Sequence, residues 1–178
     1  SIEDNLALST GYPVRGCLIR GGASRSRATE ALRRAGLDVD PRVPVARLTP
    51  AEKTGVAVAR ALCGMRAGEA SVLVLDEPTA TLPDLEVARI LDIVRTVRSN
   101  GVAVVYVTHR LEEVFQIASS ATVLRDGRQV TTTQVDRLSR AELVHLMVGP
   151  ELDEVHREAV GAPRRREGEP AIEITGLR

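Results

Sequence analysis

Residues 71–79 read Ser-Val-Leu-Val-Leu-Asp-Glu-Pro-Thr, and no other stretch limits the available folds so much. Five residues, mostly leucine or β-branched, run straight into two carboxylates, Asp76 and Glu77, and Pro78 stops the run. An apolar run this short, bounded by a breaker, predicts a strand buried on both faces, as in a parallel sheet. Asp76 and Glu77 then fall at its carboxyl end, the edge where open α/β sheets place their ligands. The plainer alternative is two acids ending a strand in solvent.

The residues downstream weigh against that alternative. Residues 84–98 carry Val87, Ile90, Leu91, Val94 and Val97 at helical spacing, and Asn100-Gly101 ends the pattern. Residues 102–107 predict a second buried strand, running into Thr108-His109-Arg110. A strand–helix–strand order calls for a crossover connection and parallel strands. Asp76, Glu77 and His109 therefore belong on one edge of the sheet. In phosphoryl-transfer proteins, a carboxylate there holds Mg²⁺, directly or through water, and a neighbouring one orients the attacking water. His109 adds a polar side chain able to contact a terminal phosphate.

The rest of the chain is punctuated by local signals. Residues 1–8 are a short amphipathic stretch, and glycine and proline mark residues 11–22 as a loop. Residues 24–35 suit a helix stopped by Gly36. Thr49, Pro50 and Glu52 form a capping box with proline at the first helical position, opening a helix that loosens at Gly64. Residues 112–118 predict a short helix, and Asp126-Gly127 a two-residue hairpin turn. Ser139 and Glu142 form a second capping box, ahead of Leu143, Leu146 and Met147.

Composition excludes several classes. Lys+Arg and Asp+Glu both total 24, so there is no basic excess of the kind a dedicated nucleic-acid binder shows, and no nucleic acid is expected as partner. The arginines of residues 25–34 and 164–166 read as solvated helix and linker. Cys17, Cys63 and the three histidines have no metal-ligand spacing. No apolar run approaches the ~20 residues that span a bilayer, so any membrane role must come through a partner.

Taken together, Leu73-Val-Leu-Asp-Glu-Pro-Thr79 with Val107-Thr-His109 closely resembles the Walker B and switch-histidine regions of ATP-binding cassette (ABC) ATPases. Thr79-Ala80-Thr81-Leu82-Pro83-Asp84 resembles their D-loop. The stretch from Thr108 to Ala118, then Val123-Leu-Arg-Asp-Gly127, Leu138-Ser-Arg-Ala-Glu-Leu143 and Leu146-Met-Val-Gly149 resemble the sugar-importer subclass, which serves ribose, galactose or xylose and carries two cassettes on one chain. The resemblance implies a partial ABC-type α/β P-loop NTPase domain. Residues 1–68 would be a helical and signature subdomain, and residues 69–152 the Walker B, D-loop and switch-histidine half of the core. Residues 153–169 would be a linker, and residues 170–178 the first strand of a second cassette. It implies ATP and Mg²⁺ as ligands, with Asp76 for the metal and Glu77 and His109 as catalytic residues. Its implied partners are a second cassette, a membrane permease and, indirectly, a sugar-binding protein outside the cell, with the chain peripheral on the cytoplasmic face of the membrane.

Two departures from the family pattern stand out. The phosphate loop is absent: Lys53-Thr54 mimics its end, but Arg47 and Glu52 stand where glycines are needed. The signature, usually Leu-Ser-Gly-Gly-Gln, reads Leu48-Thr49-Pro50-Ala51-Glu52, in which Pro50 removes a backbone N–H and Glu52 adds a negative charge. The chain is therefore expected to be the back half of a first cassette, inactive alone and prone to self-association through an uncovered sheet. Two other readings stay open: a soluble tandem-cassette ATPase acting on ribosomes or DNA, and a dimerisation module whose acids are vestigial.

Overall fold

The computed structural model describes residues 1–15, 18–65 and 71–149. The expected 68/69 boundary, linker over residues 153–169 and strand over residues 170–178 lie outside the described residues. The described residues form two compact units, one within residues 1–121 with 134–136, the other of residues 122–133 with 137–149.

The first unit is organised around helix α3 (Pro50–Cys63), which packs against α1 (Ile2–Thr10), α2 (Gly21–Arg34) and α4 (Asp84–Ser99). Each helix has a local reason to begin or end. In α1, the Ser1 hydroxyl accepts the Asp4 N–H while the Asp4 carboxylate bonds back, a capping box absent from the sequence reading. At the end of α2, Leu37 N–H reaches Leu32 O and Gly36 N–H reaches Arg33 O, a Schellman motif with Gly36 at φ +75°. The Thr49 capping box is present: Glu52 N–H donates to Thr49 Oγ1 at 3.3 Å, and Thr49 N–H to Glu52 Oε2 at 2.8 Å. The buried faces of these helices, among them Ile2, Leu32, Val56, Ala59, Leu62, Ile93 and Val97, make one core.

Gly55 is where α3 comes closest to its neighbours. A Cβ there would lie 2.6 Å from Leu37 Cδ1 and 2.9 Å from Ile93 Cδ1. Gly55→Ala gains ~1 kcal/mol of helix propensity, but overpacking a filled core costs about 1–3 kcal/mol. Ile93 is buried and has nowhere to retreat, so overpacking wins. A net loss of stability in denaturant unfolding is expected, and a gain would contradict this packing.

Strands β3 (Val72–Asp76) and β4 (Ala103–Val107) flank α4 in sequence and pair in parallel, with Asp76 opposite Val107. This is the expected strand–helix–strand unit, with one correction. Leu73 is buried against the helices, whereas Val72, Val74, Val105 and Val107 are exposed, so only one face of the pair is covered. A continuous apolar run does not distinguish one-sided from two-sided burial. Self-association of the 178-residue chain through these valines is the expected outcome. Light scattering that reports a monomer over a broad concentration range would contradict it.

A second correction concerns residues 11–22. The expected loop contains a small antiparallel pair, β1 (Val14–Arg15) with β2 (Leu18–Ile19), and α2 already starts at Gly21. Two-residue strands are too short to leave a periodic signal. Helix α5 (Leu111–Ile117) follows β4.

In the second unit, the expected hairpin is present. Strands β5 (Ser120–Arg125) and β6 (Arg128–Gln134) meet at Asp126 and Gly127, both at positive φ, as a type I′ turn requires. Helix α6 (Arg140–Val148) starts at the second capping box, with Glu142 N–H on Ser139 Oγ at 3.2 Å. No helix among the described residues is long and apolar enough to cross a membrane.

Candidate functional site

The parallel register carries Asp76, Glu77 and His109 to one sheet edge. Glu77 N–H donates to Val107 O at 2.9 Å, extending the strand ladder by one residue. Beyond it the chain turns sharply, with Glu77 at φ +42°, a left-handed conformation uncommon for a residue with a Cβ. Such a conformation costs about 1–3 kcal/mol and persists only where its surroundings fix it. The turn aims the Glu77 carboxylate at the neighbouring strand's extension, and Glu77 Oε1 lies 3.1 Å from His109 Nδ1. A carboxylate only accepts, so the imidazole bonds it through Nδ1–H and presents Nε2 on the far side of the ring. Both side chains are about half exposed.

Asp76 is exposed beside this pair. With Glu77 it supplies hard carboxylate oxygens, the donors Mg²⁺ takes when phosphates and water complete its octahedron. No group of three or more candidate ligands gathers among the described residues.

Behind the pair lies a buried polar cluster that the sequence reading missed. Glu113, on α5, accepts from the Thr79 hydroxyl at 2.6 Å, the Thr108 hydroxyl at 2.7 Å and the Tyr106 hydroxyl at 3.0 Å. Arg110 Nε sits 3.3 Å from the same carboxylate, and Arg110 Nη2 donates to Asp84 at 2.9 Å. Burial first, then the Glu113 charge, pushes the Tyr106 phenol up to about 12, so it stays a neutral donor. Of the D-loop-like residues, Thr79 is buried with its hydroxyl committed to Glu113. Ala80, Thr81, Pro83 and Asp84 are exposed, and Leu82 is half-buried.

The signature-like segment is a separate feature at the start of α3. Leu48 and Ala51 are buried, Pro50 is exposed, and Thr49 and Glu52 are closed on each other in the capping box. A helix N-terminus is a natural anion site, but here the chain supplies the anions itself. Ala51 N–H donates to the carboxylate of Glu86, from the first turn of α4, at 2.8 Å. That bond chiefly holds the Glu86 carboxyl below its usual range, with the Thr49 hydroxyl and Arg89 adding to it and burial opposing it.

A lowered folded-state pKa stabilises the fold above the ordinary glutamate value near 4.5, and that contribution fades as pH falls through the lowered value. Glu86→Gln should therefore be less stable than the parent at pH 7, with the difference shrinking once pH drops below about 4.5. Paired melting curves across pH check this, and a pH-independent difference would contradict it.

Known proteins place the chain. A ribose import ATP-binding protein of Rubrobacter xylanophilus is 41% identical over 177 residues, 99% of this chain and 34% of the relative. A xylose import ATP-binding protein of Geobacillus kaustophilus is 38% identical over 156 residues, 88% of this chain and 30% of the relative. The chain spans about a third of the length of these curated relatives. No protein-family model matches it. Among solved structures, a putative metal-chelate type ABC transporter in an inward-facing conformation aligns with TM-score 0.64 at 20% identity, over 82% of this chain and 58% of that one. The CbiO1 subunit of a Clostridium perfringens ABC transporter complex aligns with TM-score 0.63 at 23% identity, over 88% and 61%. Sequence similarity to import ATP-binding proteins runs along nearly the whole chain, and the fold is that of part of an ATP-binding cassette (ABC) ATPase domain, in agreement with the motifs at the sheet edge.

Proposed function

We propose that this chain is part of the ATP-hydrolysing subunit of a carbohydrate importer, peripheral on the cytoplasmic face of the membrane, coupling ATP turnover to sugar uptake. The observation that carries this is the 3.1 Å contact between Glu77 and His109 at the carboxyl edge of two parallel strands, with Asp76 beside it. The similarity to ribose and xylose import proteins supplies the substrate class. Asp76 would hold Mg²⁺, which when bound with ATP offsets charge on the phosphates. Glu77 would orient the attacking water and take its proton. His109, steadied by Glu77 through Nδ1, would meet the terminal phosphate. The phosphate loop of the same cassette and the signature of a second cassette would complete the site.

The other site of such a pair would use Leu48, Thr49, Pro50, Ala51 and Glu52. Its helix N-terminus lacks the Pro50 N–H and already holds the Glu86 carboxylate, so we assign it weak phosphate binding and little turnover. Partners are a second cassette, a permease and, through it, a sugar-binding protein. Affinity purification of the full-length protein from membranes tests the reading: a permease should copurify. Recovery of ribosomes or DNA instead would overturn it.

A further inference from the structure

Glu113 is the only buried charged residue among the described residues, at 1% exposure. Stability does not account for it, because a well-packed apolar residue serves a core at least as well as a buried ion pair. What distinguishes Glu113 is where its partners come from. Thr79 lies two residues past Glu77, on the turn after β3. Thr108 and Arg110 stand on either side of His109, and Arg110 N–H also bonds Thr108 Oγ1 at 3.0 Å. Both carboxylate oxygens are used: Oε1 takes Thr79 and Arg110, and Oε2 takes Thr108 and Tyr106. The segment most in need of such a clamp is the one it holds. Glu77 sits at φ +42°, fixed on one side by its N–H bond to Val107 and anchored on the other through Thr79.

We propose that Glu113 is the positioning residue of the Glu77–His109 pair: its buried carboxylate ties the turn after Glu77 to the segment carrying His109 and so sets their separation. The role rests on reading Glu77 and His109 as the reacting pair. A misplacement of about 1 Å at a reacting group can cost ~10²-fold in rate, so the effect belongs in turnover and not in nucleotide binding.

The test uses the full-length protein with Glu113→Gln, Thr79→Val and Thr108→Val. Glutamine keeps one acceptor oxygen but turns a donor toward the hydroxyls on the other side. Glu113→Gln should lower kcat about 10- to 100-fold, with KM for ATP and Mg-ATP affinity near the parent values. Each valine variant should give a smaller loss of kcat in the same direction. In a Glu77→Gln background, Glu113→Gln should cost almost nothing further, because the two act as a unit. Melting curves run alongside establish that the variants are folded. Parental kcat in folded Glu113→Gln, a loss confined to KM, or equal losses in both backgrounds would overturn the proposal. If Glu113→Gln does not fold, the valine variants decide by the same criteria. Should Glu77→Gln itself keep parental turnover, the reading of the reacting pair fails, and the positioning role falls with it; that single variant separates the two failures.

Discussion

On the proposed function, Glu77→Gln in the full-length protein is expected to lower ATP turnover by about 10²–10⁴-fold, the usual cost of losing a positioned general base. Mg-ATP binding is expected to persist, because glutamine keeps the shape of the side chain and can still accept from His109 Nδ1 through its amide oxygen. The size of the effect follows from the geometry. Glu77 stands at the sheet edge in a left-handed conformation, with its carboxylate 3.1 Å from His109. Its amide is the isosteric probe, since it removes the basicity and little else. Steady-state hydrolysis together with nucleotide binding gives the answer. Near-parental turnover would mean that the reacting pair lies elsewhere, and would favour a module whose acids are vestigial.

Leu62→Ala removes about 2–5 kcal/mol of stability, the range for emptying a buried leucine site. Leu62 closes the buried face of α3 and belongs to the core shared by α1, α2, α3 and α4. At 1% exposure, its truncation leaves a cavity inside that core. Leu8→Ala is the control: that leucine is 76% exposed, and its loss should stay within about ±0.5 kcal/mol. Urea unfolding with an unchanged m-value and a lower midpoint is the expected signature. A Leu62→Ala loss no larger than that of Leu8→Ala would contradict the core described here.

Much of this architecture was legible because its causes are local. The boxes at Thr49–Glu52 and Ser139–Glu142 close over three residues, and Asp126-Gly127 specifies its own turn. The β3–β4 register comes from strand, helix and strand in succession, which is why Glu77 and His109 could be placed together before any geometry was known. Non-local partners left no such mark. Glu113 meets Thr79 across 34 positions, and Glu86 meets Ala51 across 35. In sequence, both glutamates look like ordinary charged residues in the first turn of a helix. The two-sided burial expected of β3 and β4 failed for a related reason, since an apolar run reports burial without saying how many faces are covered; the exposed valines agree instead with the uncovered sheet expected of half a cassette.

Whether this sheet edge hydrolyses ATP in the service of sugar uptake is the central question. The direct measurement is ATP turnover by the full-length protein in liposomes with its copurified permease and binding protein, challenged with ribose, galactose and xylose. Turnover stimulated by one or more of these sugars and lost in Glu77→Gln is the expected result. Turnover indifferent to every sugar but stimulated by ribosomes or DNA would contradict it.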